Sequence, residues 1–240
     1  MTPQFHKINL RSPDFLDMKY NSARKSENGI DSENKYPKTM NSLIQKTKIH
    51  CRQLIEHSRC SKLSFHNWQH TVNVVQNVHE IGAAEKIDNS SLELLVIAAY
   101  FHDVGHINGA EGHERISCGY ATDFLKENGY RQENIEAIQG IIGATVMPQN
   151  PNTELQKVIC DADLAHLGKT SFWDQNERLR KEWWDYYKKV FSDRQWVELN
   201  IRFFECHDFK TQYAKERFGK RKNRNMAQLK DQLKGLISID

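Results

Sequence analysis

Proline is scarce in this chain, with five in 240 residues. Pro3, Pro13 and Pro37 lie near the start and Pro148 and Pro151 sit together, so residues 38–147 and 152–240 contain none. Long proline-free blocks with helical periodicity favour helices over a turn-rich all-β chain. Cysteine is equally sparse. Cys51, Cys60, Cys118, Cys160 and Cys206 are odd in number, widely spaced and form no C-x-x-C pair. That excludes a disulfide framework or zinc knuckle and reads as reduced, mostly buried thiols. No run approaches the roughly 18 apolar residues that a membrane-spanning helix needs. The opening MTPQFHKINLRSPDF has no apolar leader core, so the chain reads as cytoplasmic. Strand-like alternation and internal repeats are also missing.

What is present is a lean but aromatic composition: 38% hydrophobic, 27% charged and 10% aromatic, too aromatic for a wholly disordered chain. Residues 21–42 hold only four apolar residues in 22 and read as a linker. Residues 1–40 are therefore expected to form a flexible N-terminal arm and linker, and residues 41–240 a compact multi-helix domain. Leu43, Ile44, Thr47, Cys51, Leu54 and Ile55 share one helical face, as do His70, Val74, Val78 and Ile81. LELLVIAAYF (92–101) is apolar all round and predicts a buried central helix ending near Gly105, capped by Ser91 and its neighbours. Further helices are expected near 113–128, 132–144, 153–166, 171–190, 192–207 and 223–237. Together these segments predict an all-α bundle.

The net charge of +3 is unevenly placed. Residues 215–234 carry eight Lys/Arg against two acids, a net of +6, which leaves −3 for the rest. This reads first as a solvated helix face, with contact to a phosphate as the functional alternative. Nucleic-acid binding finds no reading motif to support it.

His102-Asp103 ends the apolar helix. The dipeptide decides little, since His207-Asp208 repeats it. A neutral imidazole and a carboxylate at the end of a dry helix nevertheless need a partner, and a metal ion supplies one. His66 and His70, four apart in FHNWQHT, are expected to face the same way from one helical turn. Asp161 and Asp163 follow another apolar approach in ICDADLAHLG (159–168). Three segments thus each bring His or Asp next to core-type sequence.

The order H…HD…D resembles that of the HD-domain metal-dependent phosphohydrolases, an all-α superfamily, over most of residues 43–205. FHNWQHTVNVV is similar to the Y-H-N-x-x-H-x-x-x-V of the cyclic-nucleotide phosphodiesterase-like branch. FHDVGH resembles its F-H-D-x-x-H, CDADL its C-A-D-L segment, and IIGATVM (141–147) a stretch containing A-T-x-M. The resemblance implies divalent metal ions (Zn, Mn, Fe, Ni or Mg) held by His70, His102, Asp103 and Asp163, with Asp103 bridging to a second ion. It selects Asp163 over Asp161. It makes His66 the acid that protonates the leaving group. His106, beside Gly105, and His113 and Glu114, at the start of the next helix, are candidates for supporting or second-metal roles, with helix capping the alternative for the last two. Asn200 and Phe203 stand where that branch has a purine-gripping Q-x-x-F, the Asn a methylene shorter.

The implied activity is hydrolysis of a nucleotide phosphoester, with a cyclic mononucleotide as first guess. The alternatives are a nucleotide monophosphatase or alarmone-type hydrolase, and a non-catalytic metal- and nucleotide-binding sensor. Arg115 and the basic residues after Tyr213 are further phosphate-binding candidates. The aromatic stretch 183–191 reads as core or lid, and Phe203 or Phe204 as a base-stacking ring.

Overall fold

The computed structural model describes residues 38–238, with side chains from Ser42 onward. The expected arm lies outside the described residues up to position 37. Nine α-helices follow: α1 (Lys38–Glu56), α2 (Trp68–Ala84), α3 (Asn89–Phe101), α4 (His113–Glu127), α5 (Gln132–Gly143), α6 (Glu154–Leu164), α7 (Phe172–Tyr187), α8 (Asp193–Cys206) and α9 (Gln212–Ile237). No strand occurs among the described residues, so the fold is all-α. None of their helices is long and apolar enough to cross a membrane.

The centre is α3. Leu92 and every residue from Leu95 to Phe101 are buried, and α1, α2, α4, α5 and α6 pack around them. An all-round apolar helix can be satisfied only in this way. Its cap is Asp88, whose carboxylate accepts the N–H groups of Ser90 and Ser91, so the expected Ser91 cap is corrected. α1 begins at Lys38, inside the stretch read as linker.

A smaller apolar cluster joins Leu164, Leu167, Phe172, Val197, Ile201, Phe204 and Leu229. It ties α8 and α9 to the end of α6. α9 starts at Gln212 rather than 223, because its basic residues other than Lys222 lie outside an inner face that holds Ala214, Phe218, Lys222, Asn225 and Leu229. Gly168 makes the contact possible: a Cβ there would lie 2.5 Å from the Phe218 carbonyl oxygen.

Two features place the ends of α2, α3 and α4 together. Asn67 caps α2 by accepting from the N–H groups of Gln69 and His70, and its amide donates to the Leu63 and Ser64 carbonyls. After α3 the chain makes a 3-10 turn over Val104–Ile107 and passes close to α4. A Cβ on Gly105 would stand 1.9 Å from the His113 carbonyl oxygen, so only glycine fits. Ser117 pins the turn, donating to the His102 carbonyl (2.7 Å) and accepting from the Gly105 N–H (2.8 Å).

Candidate metal centre

Four side chains from three segments converge where α2, α3 and α6 meet. His70 Nε2 lies 3.3 Å from Asp103 Oδ2, 3.4 Å from Asp163 Oδ1 and 3.4 Å from His102 Nε2. His102 Nε2 lies 3.2 Å from Asp103 Oδ2 and 3.7 Å from Asp163 Oδ1. Donor atoms bound tetrahedrally at about 2.0–2.2 Å from one ion stand about 3.3–3.6 Å apart. The spacing therefore suits a divalent ion in mixed nitrogen–oxygen ligation.

The imidazoles are already oriented for this. His102 Nδ1 bonds the Ala99 carbonyl at 2.8 Å, which leaves Nε2 as the lone-pair nitrogen facing the cluster. Burial opposes charge on His70 and His102, yet the neighbouring carboxylates outweigh it. They push His70 up to about 10 and raise His102 as well. Burial also opposes charge on the carboxylates. The histidines outweigh it, holding Asp103 well below the usual carboxylate range and lowering Asp163. One buried and one half-buried carboxylate thus draw positive charge to this point, which a divalent cation supplies directly.

Asp103 has a second face. Its Oδ1 lies 3.3 Å from His113 Nε2 and 3.9 Å from His106 Nε2. His66, Asp103 and His106 form a second group able to hold an ion, beside His70, His102 and Asp163. His106 Nε2 is buried with no hydrogen-bond partner. Burial, then the neighbouring His66, pushes this imidazole down to about 2, so it is neutral and has a lone pair to offer. His66 stacks on His106 (4.2 Å between centroids) and His106 on His113 (3.9 Å). Glu114 does not reach Asp103; its carboxylate sits 3.5 Å from His113 Nδ1, which also bonds the Ala110 carbonyl at 2.9 Å.

His66 reaches the centre by a route the spacing did not predict. It precedes the Asn67 cap instead of sharing a helical turn with His70, although their rings are 5.8 Å apart. Its anchor is Glu182 of α7. One carboxylate oxygen accepts His66 Nδ1 at 2.6 Å, and the other accepts the N–H groups of Phe65 (2.8 Å) and His66 (3.0 Å). Burial tends to raise Glu182, but these bonds hold it below the usual carboxylate range. Sequence reasoning missed Glu182. The signal was an acid on the same inner face of α7 as Phe172 and Asn176.

Other residues singled out in the sequence make different contacts. Asp161 is buried away from the cluster, accepting the Lys210 and Thr211 N–H groups and the Thr211 hydroxyl. Asn200 donates to the Trp196 carbonyl of its own helix at 2.8 Å, and Phe203 packs on the smaller apolar cluster. Neither residue is among those lining the three cavities beside the centre. Phe204 is buried in the same cluster. Arg115 is exposed and also lines none of these cavities. The basic helix turns elsewhere: Arg217 pairs with Glu80, Lys230 with Glu205 and Lys234 with Asp231, while Lys222 donates to the His207 carbonyl.

Residues 67–167 match the HD domain family. The HD match contains His70, His102, Asp103, His106, His113 and Asp163, and it supports a metal-dependent phosphohydrolase in the general sense. A crystal structure of a predicted HD superfamily hydrolase from an uncultured Thermotogales bacterium is similar at 20% identity and a TM-score of 0.47. That match covers 67% of this chain and 91% of the other. No curated protein matches this chain.

Proposed function

We propose that this chain is a metal-dependent hydrolase of a nucleotide phosphoester, with His66 as its general acid and Glu182 as the residue that positions that acid. The observation carrying the reading is the convergence of His70, His102, Asp103 and Asp163 at ion-binding distances beside a histidine clamped by a buried carboxylate.

His70, His102, Asp103 and Asp163 would hold one divalent ion, and Asp103 with His106 and His113 would face a second. Such ions neutralise the anionic ester and lower the pKa of water near them. The chain's own residues do the rest. Glu182 takes the Nδ1 proton of His66 in a hydrogen bond, which turns Nε2 toward the centre. Water forms the new P–O bond, the bond to the departing oxygen breaks, and that oxygen takes its proton from His66. The remaining water proton returns to the imidazole or to solvent. Diester cleavage fits this arrangement, because an alkoxide leaving group needs an acid. Asn200 and Phe203 do not line the cavities beside the centre, so the reading rests on the reaction and makes no use of them.

Hydrolysis of bis(p-nitrophenyl) phosphate and p-nitrophenyl phosphate, each with Mn, Zn, Mg and without metal, tests this. Metal-dependent diester cleavage that His102→Ala abolishes is the expected result. Monoester cleavage alone would replace the diesterase reading with a phosphatase. Metal-independent turnover, or turnover surviving in His102→Ala, would contradict the site.

A further inference from the structure

Beyond His66 and His106 the site opens into a cavity of about 690 Å³. Two cations border it, and aromatic rings hold each of them. The guanidinium carbon of Arg59 lies 5.7 Å from the centroids of both Tyr186 and Tyr187. Lys189 Nζ stands 4.9 Å over Trp183, whose ring is itself fixed edge-on to Trp196 at 5.6 Å.

The backbone aims Lys189 as well. Lys188 caps the end of α7 with a φ of 55°, in the left-handed region that non-glycine residues seldom occupy. The chain doubles back there, and the Lys189 N–H donates to the Trp183 carbonyl at 3.0 Å. Such strain at a non-glycine residue is often kept where function needs the geometry.

Neither cation forms an ion pair among the described residues. Glu111 lines the same cavity, exposed and unpaired with either. Tyr187 links the cavity to the centre, its hydroxyl 3.4 Å from His106 Nδ1. Cations already held on rings lose little freedom when they bind an anion, so their contacts count more toward affinity.

We propose that the departing portion of the substrate carries a second phosphate, bound by Arg59 and Lys189. The inference rests on the phosphohydrolase reading in one respect: His66 protonates the departing oxygen and borders this cavity, so the departing portion lies in it. Arg59 supplies the planar fork suited to phosphate and Lys189 a point charge beside it. The substrate class is then a bisphosphate, with one phosphorus at the metal centre and the other at the cavity rim. A cyclic mononucleotide has no group for these cations.

The test compares propylphosphonate with propane-1,3-bisphosphonate, which cannot be hydrolysed, by calorimetric titration of the full chain in saturating Mn²⁺. The bisphosphonate should bind at least about tenfold tighter, as expected for a charge-assisted contact. Arg59→Met and Lys189→Met keep the aliphatic stems on the rings and should each remove most of that preference. Lys220→Met, which deletes a charge on the exposed face of α9, should retain it. Equal affinities in the wild type, or a preference that survives both cavity substitutions, would overturn the proposal. Diester hydrolysis is followed in the same preparations. Metal-dependent hydrolysis without the preference sinks the second-phosphate site alone. The preference without any hydrolysis supports that site and sinks the hydrolase reading.

Discussion

At the scale of single residues, two aspartates two positions apart do different work. Asp163 faces His70 and His102, whereas Asp161 holds the backbone at Lys210 and Thr211. Asp163→Asn should therefore lose bound metal with little change in fold. Asp161→Asn should keep the metal and cost about 1–3 kcal/mol of stability by weakening buried hydrogen bonds. Metal analysis beside urea unfolding separates the two, and the opposite pattern would reverse the assignment. His66→Ala should keep the metal yet slow turnover by about 10²–10⁴-fold, most steeply for esters with poor leaving groups. Equal slowing across a leaving-group series would remove His66 as the acid. Glu182→Gln weakens the hold on the His66 ring and on the backbone N–H groups of Phe65 and His66, and should lower kcat more than it changes KM.

Among the elements, the junctions matter more than the helices themselves. The Asn67 cap and the Gly105 crossing bring α2, α3 and α4 to one point. Asn67→Ala should cost about 1 kcal/mol as a lost cap and should also weaken metal binding, because Leu63, Ser64 and His70 all hang on that side chain. Gly105→Ala places its methyl against the His113 carbonyl and should destabilise the fold severely, read as a large fall in Tm. The end of α8 gives a pH prediction. His207 is pushed down to about 4 by burial and by Lys222. Its folded value lies below its unfolded value near 6.5, so its contribution to stability is full above pH 6.5 and declines as pH falls toward 4. Urea midpoints should fall over that window in the wild type and more gently in His207→Phe. An unchanged slope in the variant would assign the effect elsewhere.

For the molecule as a whole, the helical pattern was legible because apolar residues recur at helical spacing, and α3 stood out as apolar on every side. The four candidate ligands came from the resemblance of the H…HD…D order, and the structure brings His70, His102, Asp103 and Asp163 to one point. What could not be read were contacts between segments far apart in sequence. Glu182 lies 116 residues from His66, and Lys210 lies 49 residues from Asp161. Asn200 shows the same limit: a local motif cannot say which way α8 turns, and its amide donates to the Trp196 carbonyl of its own helix. Metal binding to the folded state alone should also raise Tm, by the equivalent of about 2.7 kcal/mol at a hundredfold excess over Kd.

The central claim is that His70, His102, Asp103 and Asp163 hold a divalent ion, and metal content tests it most directly. The wild-type chain and His102→Ala would be loaded with Mn²⁺ or Zn²⁺, dialysed to equilibrium, and their metal measured by plasma mass spectrometry. The account predicts at least one ion per chain in the wild type and its loss in the variant. Equal metal in both proteins, or none in the wild type, would contradict it.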